Sequence, residues 1–386
     1  MTMRHLDGVC AIEKLRKSYA EFERKVSRAF DSCEVSEKGR LDFQAIIGKD
    51  YAREKIFRSD LRAGLKAGTI FVSLMSKMFG RSVERAARGK QGTYFALSTF
   101  INSDWNCSDR TAAINIQSIR NKVSKSIRDA GLNGIAVIEV QALTNYPEQG
   151  KGKTLMANVH ALVWARSPID HAAWERAVAQ SSAWRADFGC PPLVVQGLLE
   201  DSLEDRSNIE RVAGYLMKAP HDAKFRKPQK KKPEHFMFQP TQKGYSNRLA
   251  LRILECLAYL PLFEMVFGVG PEGICWCNKW RRQLRCWQAR RFKKETSERA
   301  VNITKFWKKY RVKSGTEKYE PFRLLRGGER PEPVWHPDGN RGSTKRPPIP
   351  KQRPVTQTRR AKTVRKRSRT RAGAKILRPA RVRTRR

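Results

Sequence analysis

The stretch Met156-Ala157-Asn158-Val159-His160-Ala161-Leu162-Val163-Trp164 alternates cleanly. Ala157, Val159, Ala161 and Val163 point one way, and Asn158, His160, Leu162 and Trp164 the other. A strand that sets an amide beside an imidazole gives two core positions to polar groups. A lone strand histidine is more often a hydrogen-bonded core residue than a ligand, but its neighbours here shift that balance. In Gly134-Ile135-Ala136-Val137-Ile138-Glu139-Val140-Gln141 a single carboxylate interrupts an apolar run, and Glu is seldom buried without a partner or a metal. The intervening Thr144-Asn145-Tyr146-Pro147, Gly150 and Gly152 are turn formers, so the two strands read as a hairpin. Pairing them brings Glu139 towards Asn158 and His160. One carboxylate, one amide oxygen and one imidazole form a mixed O/N set, which suits Mg or Mn better than a closed zinc site.

A second group with chemical potential lies on the helix predicted from about Ser207. Tyr215 and Lys218 are three residues apart and share a face, with Arg211 one turn earlier. Phenol is a poor nucleophile at its ordinary pKa of about 10, and neighbouring cations favour the phenolate and can meet phosphate charge. Tyr-x-x-Lys alone is common, and an amphipathic helix with a snorkelling lysine accounts for it equally well.

The charge points to a polyanion. The chain of 386 residues carries 79 Lys and Arg against 37 Asp and Glu, a net +42. The segment from Arg341 holds 19 Lys and Arg and no acid, so +23 remains on the first 340 residues. Nucleic acid is the expected partner, because neutralised phosphates release counterions. The basic positions singled out for it are Arg211, Lys230, Lys231, Lys232, Arg281, Arg282, Arg290 and Arg291. No amphipathic anchor or spanning segment is apparent: the longest apolar run, Leu257 to Gly270, is broken by Pro261 and Glu264. Eight cysteines without a signal peptide suggest a reducing cytoplasm. Cys275, Cys277 and Cys286 lack zinc spacing and read as free thiols.

Five regions follow from composition. Residues 1–90 look helical and basic, with breaks at Gly64, Gly68 and Gly80. In 91–225, Thr93 to Phe100 reads as a buried strand. Asp109 is the expected cap of a helix carrying Ile116, Ile119, Val123 and Ile127, and the hairpin follows. Ser167-Pro168 opens a second helix running towards Trp184, and Leu193 to Leu198 is a fourth strand. The order is β-α-β-β-α-β, a ferredoxin-like antiparallel arrangement in the α+β class. Residues 226–243 read as a basic, proline-broken linker. Residues 244–326 are helical, with Trp276, Trp280, Trp287, Phe292, Phe306 and Trp307 interleaved with cations, either stacking bases or filling a core. Residues 327–386 read as a disordered basic tail.

Three segments together resemble the motifs of rolling-circle replication initiators of the HUH endonuclease superfamily. They are Thr93 to Phe100, then Glu139 with Asn158-Val159-His160, then Tyr215-Leu216-Met217-Lys218. The resemblance covers roughly residues 91–225. It departs at one point: Asn158 stands where the family has its first histidine. The resemblance implies a divalent cation, Mg or Mn, on Glu139, His160 and Asn158, polarising the scissile phosphate of single-stranded or extruded origin DNA. It implies Tyr215 as nucleophile, leaving a 5′-phosphotyrosyl enzyme and a free 3′-hydroxyl, and Lys218 as its assistant. The implied partners are that DNA and a host helicase or polymerase, with no membrane. The implied location is the bacterial cytoplasm, in association with the nucleoid, and the implied role is initiation of plasmid or phage-like replication.

Two other readings fit the residues. A catalytically silent relative that binds DNA specifically is favoured by Asn158. A sequence-blind nucleic-acid-binding protein needs only the basic tail and the Trp/Arg segment, and leaves Glu139 and His160 without a task.

Overall fold

Strand β5 (Thr154–Ala165) is hydrogen-bonded along both edges and buried on both faces, and the rest of the described chain is layered around it. The computed structural model describes residues 11–32, 56–90, 92–145, 153–185, 190–198, 206–220, 222–229, 232–241, 245–292, 307–308, 310–312 and 319–332. Two helices come first, α1 (Ala11–Asp31) and α2 (Leu61–Ala87). Then β1 (Tyr94–Ile101) runs antiparallel to β5 on one side, and β4 (Asn133–Leu143) antiparallel to it on the other. Two short strands, β2 (Cys107–Ser108) and β3 (Ala113–Ile114), lie between β1 and helix α3 (Ile116–Asp129). After β5 come α4 (His171–Gln180) and β6 (Leu193–Gly197), which pairs antiparallel with the outer edge of β1. The expected succession of four strands and two helices is present, with strand order β6-β1-β5-β4. The chain is α+β.

The sheet is larger than expected and not wholly antiparallel. Helix α5 (Arg206–Met217) leads into β7 (Lys224–Gln229), which pairs in parallel with β4 at Leu143, and β8 (Lys232–Pro240) pairs antiparallel with β7. Residues 226–243 are therefore not a simple linker. Their prolines are compatible with strands because the pairing shifts register between Pro228 and Gln229 and β8 is an edge. After α6 (Asn247–Tyr259) and α7 (Leu262–Met265), β9 (Val266–Val269) covers the other end of β4 and leads into α8 (Gly270–Phe292). A long strand edge left unpaired would offer a template for association, and β9 and β7 pair with the two ends of this one.

Helix starts differ from expectation. Asn115, not Asp109, caps α3, accepting from the Ser118 amide at 2.9 Å. Asp109 instead accepts from the amide of Lys153 at 2.8 Å and the hydroxyl of Tyr319 at 3.3 Å. Asp170 rather than Ser167 caps α4, accepting from Ala173. That helix ends at Gln180, before Trp184, which stacks on Phe100 at 5.5 Å.

Strand alternation assigns the layers. Phe100 and its neighbour Val159 face α3 and α4, where Trp174 meets Phe100 edge-on. Thr99, His160 and Phe95 face the other way, towards α2, where Phe79 lies against Phe95, and α5, where Tyr215 lies against His160. Gly64, Gly68 and Gly80 lie inside α2 and do not break it. A Cβ on Gly64 would fall 2.6 Å from the Tyr19 hydroxyl oxygen, and one on Gly68 would fall 3.1 Å from Cβ of Met217, so the first two let α1 and α5 approach closely.

One apolar core extends from Ala11 to Phe322 and crosses the boundaries expected at residues 90, 225 and 244. Trp276, Trp280 and Trp307 belong to it. Trp276 meets Phe71 edge-on at 4.8 Å, and the indole of Trp280 donates to Ala67 O at 3.0 Å. Buried indoles cannot stack bases, so the core reading of these three is the correct one. The segment from 319 to 332 is also in place: β10 (Arg323–Leu324) pairs with β3, and Asn115 donates to Gly327 O and Glu329 O. The expected disordered tail therefore begins too early at 327, and its remainder, 333–386, lies outside the described residues. No described helix is long and apolar enough to cross a membrane.

Helix α8 seats on the sheet through glycines. A Cβ on Gly273 would fall 2.2 Å from Gly134 O, a backbone atom that cannot turn aside. Gly273→Ala should lower stability by about 1–3 kcal/mol through overpacking, read as a fall in midpoint with unchanged slope in urea unfolding.

Candidate functional site

Five side chains picked out from the sequence meet on the inner face of the sheet. Glu139 on β4 and Asn158 on β5 are direct cross-strand partners, and His160 is the partner of Thr99 on β1. His160 Nε2 lies 3.0 Å from Glu139 Oε2 and 2.9 Å from the Asn158 amide. From α5, the Tyr215 hydroxyl comes within 3.4 Å of the same nitrogen. Lys218 places Nζ 3.6 Å from Glu139 Oε1 and 4.0 Å from the centre of the Tyr215 ring. The strands bury Glu139, Asn158 and His160, whereas Tyr215 remains 39% exposed, so the phenol lies between the buried cluster and solvent.

Electrostatics bind the group together. Burial pushes the Glu139 carboxyl up, but Lys218 and His160, with help from Gln141, outweigh it and hold it well below the usual carboxylate range. Burial pulls the Lys218 ammonium down, yet Glu139 and then Tyr215 more than restore it, so it stays charged. Tyr215 is raised by burial and by Glu139, against the pull of Lys218, and rests as neutral phenol. The resting site therefore holds a fixed anion, a fixed cation and an uncharged hydroxyl.

The donor set accommodates a hard cation. Among the described residues, the buried Asn158 Oδ1 accepts no hydrogen bond, and the buried Glu139 Oε1 faces the Lys218 ammonium at 3.6 Å. His160 Nδ1 faces Thr99 Oγ1 at 2.9 Å; a proton on Nδ1 leaves the Nε2 lone pair directed into the cluster. A carboxylate at 3.0 Å calls for a proton or cation at Nε2. Turning the Asn158 amide end for end, an assignment set only by the network, presents Oδ1 to the same point. Glu139 Oε2 at 3.0 Å and the Asn158 amide at 2.9 Å from His160 Nε2 are as far from it as adjacent ligands around a small divalent ion are from one another. Among the described residues no three His, Cys, Asp or Glu side chains gather, so the amide is what completes this set.

Thr99, Gln141 and Lys224 belong to the site and were not singled out from the sequence. Thr99 and Gln141 were accessible to period-two reasoning, since they share the face of His160 and Glu139. Lys224 opens β7, just ahead of the supposed linker. Burial and then Lys218 lower its ammonium, which Glu139 partly offsets, so it is a second cation near the carboxylate.

The expected nucleic-acid positions fare unevenly. Arg211 donates to Asn208 on its own helix at 2.9 Å. Arg281 is committed to Phe263 O at 2.7 Å and Val266 O at 3.0 Å, so it fastens α8 to β9 and is not a free phosphate contact. Arg282 and Arg290 are exposed on α8. Lys230 and Lys231 lie outside the described residues; Lys232 begins β8 and Arg291 lies in α8, with no side-chain placement described. Cys275 and Cys286 are exposed free thiols and Cys277 a buried one.

No protein-family model, curated protein or solved structure matches the chain.

Glu139→Gln should cost about 3–5 kcal/mol at neutral pH, because it leaves Lys218 buried without its anion. A carboxyl whose folded pKa is depressed stabilises above its unfolded value, and that contribution disappears as pH falls through the folded one. The difference between the wild type and the variant in urea unfolding should therefore be full at neutral pH and shrink below the ordinary carboxylate range.

Proposed function

We propose that this protein is a tyrosine DNA-nicking and strand-joining enzyme of replication initiation, with a ferredoxin-like core of the HUH endonuclease type and Tyr215 as nucleophile. The observation that carries this reading is the Tyr215 hydroxyl, partly exposed and 3.4 Å from the His160 nitrogen that Glu139 and Asn158 also face. Tyrosine, lysine and the cluster come from a helix and two strands, and a core histidine with no further task would not need them together.

The Tyr215 oxygen attacks the phosphorus in line: the O–P bond forms, the P–O3′ bond breaks, the phenol proton leaves and the departing 3′-oxygen acquires one. The product is a 5′-phosphotyrosyl enzyme and a 3′-hydroxyl, and rejoining reverses the step. Lys218, charged and lying over the phenol ring, favours the phenolate and meets charge on the phosphate. Glu139, His160 and Asn158 would hold Mg or Mn, which supplies Lewis-acid polarisation of a phosphate oxygen when bound. The substrate would be single-stranded or extruded DNA, drawn in by the net charge of +42 and by exposed cations such as Arg282 and Arg290.

Asn158 favours a second reading, a silent DNA-binding relative, because an amide binds Mn less tightly than an imidazole. Asn158→His separates the two: a gain of Mn-dependent nicking belongs to a weakened enzyme, and unchanged silence to a binding protein.

Wild-type protein with Mn²⁺ and single-stranded DNA from its own genomic neighbourhood should give a covalent protein–DNA band on a denaturing gel. Tyr215→Phe should abolish the band while DNA affinity stays within about twofold; a band persisting in that variant refutes the role. Because burial holds the phenol above its ordinary pKa, single-turnover nicking should rise with pH above neutrality, by up to about tenfold per unit. A flat profile would mean that phenol ionisation does not limit the step.

A further inference from the structure

The N-terminal helices showed no chemistry in the sequence, yet they hold the end of the helix that bears Tyr215 and Lys218. Three consecutive residues there, Met217, Lys218 and Ala219, have backbone atoms fixed by Ser18, Tyr19 and Arg58. Arg58 as a whole is 5% exposed. Its Nη2 donates to Lys218 O at 2.7 Å and lies 3.5 Å from Met217 O, while its Nη1 donates to the Tyr19 hydroxyl at 2.9 Å. That hydroxyl donates in turn to Met217 O at 3.0 Å. The Ala219 amide donates to Ser18 Oγ at 3.3 Å.

Arg58 has a firm seat. Its amide donates to Leu260 O at 2.9 Å, that of Ser59 to Leu257 O at 3.1 Å, and that of Leu262 to Ile56 O at 2.9 Å, which sets the segment on the turn between α6 and α7. Two carbonyls at a helix C-terminus carry partial negative charge, and a guanidinium both neutralises it and fixes its direction. Lys218 lies one residue past the end of α5, where helix ends fray. Its ammonium sits on a flexible four-carbon stem, so an unanchored backbone there would spread it over several ångströms.

We propose that Arg58, with Tyr19, is a positioning residue for the nicking reaction, clamping the Met217–Lys218 carbonyls so that the Lys218 ammonium stays between Tyr215 and Glu139. The catalytic role of Lys218 rests on the function proposed above, but the clamp itself can be measured without it. A planar fork is needed because one side chain must reach the phenol with one nitrogen and the carbonyls with the other, which a lysine at position 58 cannot do.

The test uses full-length protein, with Arg58→Ala, Arg58→Lys and Tyr19→Phe compared by circular dichroism for folding. Lys218 labelling by an amine-reactive ester is read by mass spectrometry, and covalent adduct formation is timed in single turnover. Arg58→Ala should label Lys218 several-fold faster than wild type and form adduct about 10- to 100-fold more slowly, with DNA affinity little changed. Guanidinium chloride, kept below unfolding concentrations, should reverse both effects by entering the vacated space, and should do nothing for Lys218→Ala. Arg58→Lys should not rescue, and Tyr19→Phe should show a smaller effect of the same kind. A folded Arg58→Ala protein with wild-type labelling and adduct rate overturns the proposal. So does loss of DNA affinity in step with rate and no response to guanidinium, which marks general structural damage. If wild type forms no adduct while guanidinium-reversible labelling is seen, the clamp stands and the nicking reading falls. Should Arg58→Ala fail to fold, Tyr19→Phe decides by the same two readouts.

Discussion

A buried carboxylate on an inner strand is the constraint on which much else depends. Glu139 is tolerable at the middle of β4 only because Lys218 and His160 meet it there. That requirement ties three parts of the chain together: β4 supplies the anion, β5 the imidazole and amide, and the residue just past α5 the cation. Helix α5 cannot slide along the sheet without stranding a charge, so the pairing fixes where Tyr215 lies. Interior ion pairs of this kind contribute more to specifying an arrangement than to stabilising it.

Support for that arrangement comes from regions that carry no reactive groups. Helix α2 approaches α1 and α5 closely where Gly64 and Gly68 remove side-chain bulk, and the segment before α2 lays Arg58 against the end of α5. On the far side of the sheet Trp174 of α4 covers Phe100, and the inner face holds the polar cluster beside Phe95 and Trp164. Strands β9 and β7 pair with β4 on either side of Glu139, at Gly134–Val137 and at Leu143. Burial in turn gives the site its electrostatic contrast, since Coulomb interactions among Glu139, Lys218 and Tyr215 would be screened in water.

A second buried network holds the far end of the described chain. Arg252 donates to Glu255 at 2.7 Å and to Asp109 O at 2.7 Å, while Glu255 accepts from the Phe322 amide at 3.2 Å. With Asn115 reaching Gly327 and Glu329, it holds the 319–332 segment along β3 and the start of α3. That is why a stretch with neighbouring glycines is nevertheless in place: polar contacts with buried partners add to the burial of Phe322 and Leu325.

Local pattern alone determined the alternating strands, the hairpin of β4 and β5, the sharing of one face by Glu139, Asn158 and His160, and the nearness of Tyr215 and Lys218 at the end of one helix. Period-two and period-3.6 spacing act within a few residues, so a linear reading reaches them. Helix caps were less legible, because Asn115 and Asp170 compete with other short polar residues nearby and only the observed hydrogen bonds choose between them. What only the tertiary structure decided involves partners far apart in the chain. Pairing of residues 224–240 beyond β4, burial of Trp276, Trp280 and Trp307, diversion of Arg281 to carbonyls, and the clamp from Tyr19 and Arg58 to residues about 160–200 positions away carry no local period. A charged or aromatic side chain looks the same in sequence whether it faces solvent, nucleic acid or another helix, and which of these it meets is fixed only by the packing of distant elements.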